Sequence, residues 1–176
     1  MMHRRPHPLL LVMMTLIFAG CATSLPPPTP APALIDSFQG QYRFLSNFWP
    51  ATVEFEGITY PTVEHAYQSA KMLDMAKRRE IAALPTPAEA KHAGESFPPR
   101  PDWPKIKYDV MLRCVRYKFT HHPELARKLL ATGDAYLEEG NTWHDTVWGV
   151  YEGHGTNWLG KILMQVRDEL RSNGSP

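Results

Sequence analysis

The stretch Thr52-Val53-Glu54-Phe55-Glu56-Gly57-Ile58-Thr59-Tyr60-Pro61-Thr62-Val63-Glu64-His65-Ala66-Tyr67-Gln68-Ser69-Ala70-Lys71 changes its hydrophobic period partway along. Up to Tyr60, apolar and polar residues alternate around Gly57, which predicts two short strands joined as a hairpin. Pro61 and Thr62 stop the strand. Val63, Ala66, Tyr67, Ala70 and Leu73 then fall at helical spacing, so a helix is expected over 63 to about 75 with that stripe in the core. A hairpin that feeds a helix makes this an α+β chain, and the segments that follow make it mainly helical.

Downstream, Thr86-Pro87-Ala88-Glu89 reads as a capping box with proline in the first helical turn, opening a short helix that ends near Gly94. Residues 95–104 hold four prolines and Trp103 and read as a rigid loop. Further helices are expected over 105–119, from His122 and Pro123 to Gly133, and over 157–170, the last burying Leu159, Ile162, Leu163, Val166 and Leu170. The sequence has no internal repeat.

Upstream, the chain changes character. Residues 1–8 carry Arg4 and Arg5 and no acid, and an almost unbroken apolar run from Leu9 to Ala19 ends at Gly20 and Cys21. That is the pattern of a signal peptide over 1–20, and Ile17-Phe18-Ala19-Gly20-Cys21 resembles the bacterial lipobox, in which the cysteine is lipidated after cleavage. Residues 21–33 include Pro26, Pro27, Pro28, Pro30 and Pro32 and read as an extended tether. Cys21 is therefore the expected lipid attachment point, and residues 34–176 form the domain. Seven of the 17 prolines lie before residue 34, so the proline excess belongs largely to leader and tether. With Ala22 after the cysteine, the expected location is the outer membrane facing the periplasm, or the cytoplasm if the leader is not processed.

The whole chain of 176 residues has a net charge of +1, with 43% apolar and 21% charged residues. This excludes an extended basic nucleic-acid binder, an acidic tail protein and a polytopic membrane protein. Without Arg4 and Arg5 the domain is near neutral, so no general nucleic-acid surface is expected. Cys114 is then a lone thiol in an apolar helical pattern, read as buried and structural.

Three places look chemical. Glu64, Gln68 and Lys71 are spaced four and three apart and project an acid, an amide and an amine from one helix side, Glu64 and Lys71 about 10 Å apart along the axis. Such a face either lies in solvent or contacts one elongated ligand. Residues 141–150 place Trp143, Trp148 and Asp145 in a loop, where the indoles either pack together or stack on a ligand. Gly153-His154-Gly155-Thr156-Asn157 leads straight into the last helix, an arrangement that lets backbone amides approach an anion. The histidines show no zinc-helix spacing, and His121-His122 reads as a helix boundary. No S-x-x-K, nucleophile-elbow or Walker pattern is present.

Phe44-Leu45-Ser46-Asn47-Phe48, the segment from Tyr60 to Lys71, Asp145-Thr146-Val147-Trp148-Gly149, and Gly155-Thr156-Asn157-Trp158-Leu159-Gly160-Lys161-Ile162-Leu163-Met164 together resemble the NADAR (NAD- and ADP-ribose-associated, YbiA-like) domain, over about 38–170. The resemblance implies a single mainly helical α+β domain with a small hairpin or sheet, and cleavage of N-glycosidic bonds to ribose. Ribosylamino-pyrimidine phosphates of the riboflavin pathway and ADP-ribose on guanine are the implied small-molecule substrates, with no cofactor and no metal. Glu64, Lys71 and Asp145 are the expected catalytic groups. Asn47, Gln68, Trp143, Trp148, Gly149, Gly155 and Asn157 are the expected binding groups, with base stacking on a tryptophan and phosphate on the 153–157 turn. Lys71 either attacks C1 of the ring-opened sugar or holds phosphate. A non-catalytic ADP-ribose or nucleotide module at the cell envelope, tethered to the membrane through Cys21, is the alternative function.

Overall fold

The computed structural model describes residues 32–174, so the expected signal peptide, Cys21 and nearly all of the tether lie outside the described residues. The expected hairpin forms from β2 (Val53–Phe55) and β3 (Ile58–Tyr60), which pair antiparallel with Val53 opposite Tyr60 and Phe55 opposite Ile58. Glu56 and Gly57 both take positive φ, as a two-residue hairpin turn requires. Val53, Phe55, Ile58 and Tyr60 point into the core, and Glu54 and Thr59 point out.

A second pairing was not legible in the sequence. β1 (Leu34–Ile35) runs parallel to β4 (Tyr136–Leu137), with Ile35 and Leu137 buried side by side. Two residues are too short to show an alternation, and only the tertiary fold brings them together.

The helix that follows the hairpin, α1 (Val63–Ser69), is shorter than its periodicity predicts. It ends in a tighter turn, with the N–H groups of Lys71 and Met72 donating to Gln68 O and Ser69 O at 3.3 and 2.9 Å, and the next carbonyls are taken by other segments. Arg100 N–H donates to Lys71 O at 2.8 Å, and Arg78 Nε donates to Met72 O at 2.7 Å. Asp74 then caps a new helix, α2 (Met75–Ala82), by accepting from Ala76 N–H at 2.8 Å. Leu73, expected in the core stripe, is consequently 64% exposed. All seven residues of α1 are buried, because it packs against α2, α3 (Pro87–Glu95), α4 (Trp103–His121) and the hairpin. The face bearing Glu64 and Gln68 is thus interior.

The remaining helices follow the sequence closely. The Thr86–Glu89 capping box closes reciprocally at the start of α3. α4 begins at Trp103, two residues earlier than expected, because Pro104 in the first turn has no N–H to satisfy. α5 (Pro123–Ala131) and α6 (Trp158–Ser172) complete the chain, and the five predicted apolar residues of α6 are all buried. Cys114 is buried in α4 and burial pushes its thiol up to about 12, which suits a structural role. His122 stands at the start of α5, yet its side chain reaches Thr52 O at 2.8 Å and so ties α5 to the hairpin.

Lys118 of α4 is fully enclosed and donates to Phe44 O at 2.7 Å and Ser46 O at 2.9 Å. It thereby fixes the 3-10 turn Gly40–Leu45 and the residues just after it. Burial, with a smaller repulsion from Arg43, lowers its pKa to about 7, and the neutral amine still supplies two N–H donors for two carbonyls. Lys118→Met is expected to lose about 1–3 kcal/mol in urea unfolding, since it leaves buried acceptors without a donor. The unfolded chain holds the lysine proton up to the ordinary value of 10.5 while the native state has released it above about 7. Native stability therefore gains a contribution as pH rises between those values, and that gain is absent from Lys118→Met melts taken at increasing pH.

Candidate functional site

A cleft of about 570 Å³ opens where α1, α3, the 38–48 segment and the 139–148 segment meet. That volume suits a nucleotide-sized small molecule. α1 supplies Glu64, Tyr67 and Gln68, and Lys71 joins them from just past the helix end. α3 supplies Lys91 and Glu95, the 38–48 segment supplies Arg43, Ser46 and Asn47, and α4 contributes Met111. The remaining wall carries Glu139, Trp143, Asp145 and Trp148.

Glu64 is only 6% exposed and accepts one hydrogen bond, from Gln68 Nε2 at 2.7 Å. Burial raises its pKa above the usual carboxylate range, while the Gln68 donor and the charges of Lys91 and Lys71 pull the other way. Lys71 is half-buried, which lowers its pKa, against the opposing pull of Glu95 and Glu64. The site therefore holds an acid and an amine that are both shifted toward their neutral forms by desolvation. Gly94 of α3 makes this packing possible, since a Cβ there would stand 2.7 Å from Gln68 Cβ.

Two buried amide oxygens in the cleft wall, Asn47 Oδ1 and Gln68 Oε1, have no hydrogen-bond partner among the described residues. Asn47 is held from its other end, Nδ2 donating to Met111 Sδ at 3.4 Å. Acceptors left in this state call for donors from a ligand or water.

The tryptophan loop is built around Asn141 and Asp145. Asn141 Nδ2 donates to the backbone oxygens of Asp145 and Val150, at 2.8 and 3.0 Å. Asp145 Oδ1 accepts from the amides of Val147 and Trp148, at 2.9 and 2.8 Å. Asp145 thus shapes the loop as well as lining the cleft. Trp148 is wedged edge-on between Tyr67 and Trp158, with ring centroids 5.3 and 5.4 Å away, whereas Trp143 stands 53% exposed at the rim.

Seven of the ten residues singled out from the sequence therefore share one cleft: Asn47, Glu64, Gln68, Lys71, Trp143, Asp145 and Trp148. Gly149, expected as a binding residue, and Gly155 and Asn157 of the expected phosphate-holding turn 153–157 are not among its lining residues. The amides at the start of α6 are already spent. Thr156, Asn157, Trp158 and Leu159 donate to the oxygens of Thr146, Gly149, Val147 and Trp148, at 2.7, 3.3, 3.2 and 3.0 Å. The two glycines are there for close packing: a Cβ on Gly149 would meet Glu139 O at 2.3 Å, and one on Gly155 would meet Gly149 O at 2.2 Å. Asn157, at positive φ, accepts from Glu139 N–H at 3.1 Å and donates to Leu137 O at 2.8 Å, so it braces the wall from behind.

Glu139 was missed in the sequence. It follows β4, is half-buried, and has its carboxyl pushed up to about 8 by burial first and then by the charges of Asp145 and Glu64, with Lys91 opposing. No motif spacing marks it. The only sequence signal is an acid two residues after a short strand and just before a glycine. Among the described residues no cluster of histidines, cysteines and acids suited to a metal is present.

The family model for the NADAR domain matches residues 36–171. The chain is 40% identical over 139 residues to the N-glycosidase YbiA of Escherichia coli, a match that covers 76% of this chain and 85% of the relative. An N-glycosidase of Nostoc punctiforme is 38% identical over 137 residues, covering 74% and 87%. A riboflavin biosynthesis protein of Vibrio vulnificus is 38% identical over 135 residues, and the chain spans 36% of its length. The solved structure of the E. coli YbiA protein superposes with a TM-score of 0.72 at 37% identity, covering 81% of this chain and 88% of that one.

The Gln68 hydrogen bond favours the ionised form of Glu64, so its removal lets the carboxyl keep its proton to higher pH. In Gln68→Met, carbon-detected NMR of the Glu64 carboxyl is expected to show a titration midpoint above that of the unmodified protein. An unmoved midpoint means that Gln68 does not control the charge of Glu64.

Proposed function

The chain belongs to the NADAR family and is an N-glycosidase, and on that premise we propose that it hydrolyses the C–N bond between a phosphate-bearing ribosyl group and a nucleobase-like leaving group, with Glu64 and Lys71 as its principal catalytic groups. The observation that carries this reading is the desolvated pair itself: a buried acid and a half-buried amine on one wall of a nucleotide-sized cleft. Breaking a ribosyl C–N bond builds positive charge at C1 and the ring oxygen. A fixed carboxylate beside that carbon stabilises the charge and accepts a proton from the incoming water. Glu64 fills that role, with Asp145 as the second acid.

Lys71 offers a parallel route. Its amine adds to C1 of the ring-opened sugar, the nitrogen base leaves with a proton, and water hydrolyses the resulting imine to return the free lysine. The lowered pKa of Lys71 favours the unprotonated amine that this requires. Arg43 and Lys91 line the same cleft and supply the cationic partners for phosphate that the α6 turn does not. The unpartnered oxygens of Asn47 and Gln68 suit sugar hydroxyl donors, and Trp148 or Trp143 suits the face of the base.

The candidate substrates are ribosylamino-pyrimidine phosphates and ADP-ribose attached to guanine. The anchoring part of the reading is that residues 1–20 are a lipoprotein signal, that Cys21 carries lipid, and that the domain faces the periplasm from the outer membrane. What supports it is the run Leu9 to Ala19 before Gly20 and Cys21 and the proline-rich stretch behind them.

Incubation of the protein with each substrate, scored by chromatography for free base, is expected to show release. Glu64→Gln is expected to lower kcat by about 10²–10⁴-fold with the folded spectrum retained. Lys71→Ala is expected to lose turnover, and borohydride treatment during turnover to add the sugar to Lys71. Undiminished turnover in both variants removes both residues from the mechanism. Growth with labelled fatty acid tests the anchor separately: label is expected on the protein and absent from Cys21→Ser, and an unlabelled parent protein returns the domain to the cytoplasm.

A further inference from the structure

The mechanism above leaves one requirement unmet, because a base departing from C1 takes the bonding electron pair on nitrogen and needs a proton there. Glu64 already has another task in that reading: it accepts from Gln68 on the α1 wall and meets C1 and the incoming water. Asp145 uses one oxygen to hold the amides of Val147 and Trp148 and is part of the loop scaffold.

Glu139 is differently placed. Its backbone is clamped on both sides, its N–H donating to Asn157 Oδ1 at 3.1 Å and its carbonyl accepting from Val150 N–H at 2.9 Å. Gly149 packs directly on that carbonyl. The side chain is therefore delivered to the cleft wall from a rigid base, on a different segment from Glu64. We propose that Glu139 is the general acid of this site, giving its carboxyl proton to the leaving nitrogen as the C1–N bond breaks while Glu64 remains the carboxylate that meets C1 and the water. The proposal deepens the N-glycosidase reading and rests on it. In the direct route the C1–N pair goes to nitrogen, the Glu139 proton forms the new N–H bond, water oxygen bonds to C1, and the water proton passes to Glu64 and then to solvent. Solvent reprotonates Glu139. In the lysine route the same proton reaches the same nitrogen, so both routes need this group.

The charge distribution agrees with the geometry. The charged groups that share the cleft are Glu64 and Lys71 at α1, Lys91 and Glu95 on α3, Arg43 on the 38–48 segment and Asp145 on the loop. Of these, the two acids Asp145 and Glu64 act on Glu139 most strongly after burial, and Lys91 opposes them. The result is a carboxyl that holds its proton through neutrality and loses it at about 8. Two carboxyls in different surroundings are the usual way in which one site runs acid and base chemistry together.

The decisive experiment compares the parent protein with Glu139→Gln and Glu139→Asp. Activity in the parent is expected to fall as pH rises through about 8, the value at which the acid ionises. Glu139→Gln is expected to lose about 10²–10⁴-fold in kcat, with KM within a few-fold and with that basic limb gone. Glu139→Asp keeps a proton at a shorter reach and is expected to retain the limb at reduced rate. A Glu139→Gln enzyme within threefold of the parent, or one that keeps the limb, overturns the proposal. NMR titration of the Glu139 carboxyl in the free protein gives a reading independent of substrate, and a midpoint in the ordinary carboxylate range overturns it as well. Loss of turnover in the parent with every substrate would instead count against the function proposed above, so the two failures are distinct.

Discussion

The burial of Glu64 is the constraint that organises this domain. A carboxylate in the interior is costly unless donors and cations are brought to it. Here they come from three places: Gln68 one turn along, Lys71 just beyond the helix end, and Lys91 on the neighbouring helix. For Lys91 to help, α3 must lie close to α1, which the absence of a side chain at Gly94 permits. For Lys71 to turn toward the cleft, α1 must stop near Ser69, and the chain beyond is held by Arg100 and Arg78, which take the carbonyls of Lys71 and Met72. The short central helix, the new helix after Asp74 and the tight α1–α3 packing can all be read as support for one buried acid.

The opposite support lies behind Glu139. Asn157 reaches across to the amide of Glu139 and the carbonyl of Leu137, so the start of α6 and the end of β4 are joined by one side chain. The loop carbonyls of residues 146–149 then cap α6 in place of an external anion. The amides at the start of α6 thus go into building the wall, and the cations that line the cleft are the side chains Arg43, Lys71 and Lys91.

This division explains what the sequence disclosed. Periodicity located the hairpin, α3, α5 and α6, because each has its own cap, turn or apolar stripe. The end of α1 was invisible, since the chain beyond it is held by Arg78 and Arg100, residues on other segments. The β1–β4 pair was invisible because two-residue strands carry no pattern of their own. Among site residues, those that lie on a helix face or in an aromatic-rich loop were legible, as with Glu64, Gln68 and Trp148. Glu139 was not, for its importance comes from neighbours far off in the chain: Glu64, 75 residues before it, and Asn157, 18 residues after it. For Asn157 and Gly155 the sequence was ambiguous, since an asparagine and a glycine before a helix look the same whether their groups face a ligand or a backbone.

The cleft also has a polarity that neither its composition nor the near-neutral domain charge would suggest. The α1–α3 side mixes Glu64 with Lys71 and Lys91, which partly offset the burial that raises the pKa of the acid there. The β4 side sets Glu139 against Asp145, so the acid there is driven further toward its protonated form. Identical side chains thereby meet different partners across one cavity, cations beside Glu64 and a further acid beside Glu139. A substrate bound between them meets a charge-stabilising wall at the sugar and a proton-holding wall at the base. Breaking a C–N bond moves electrons from the first toward the second, and it is this direction, more than any single residue, that suits the cleft to an N-glycoside.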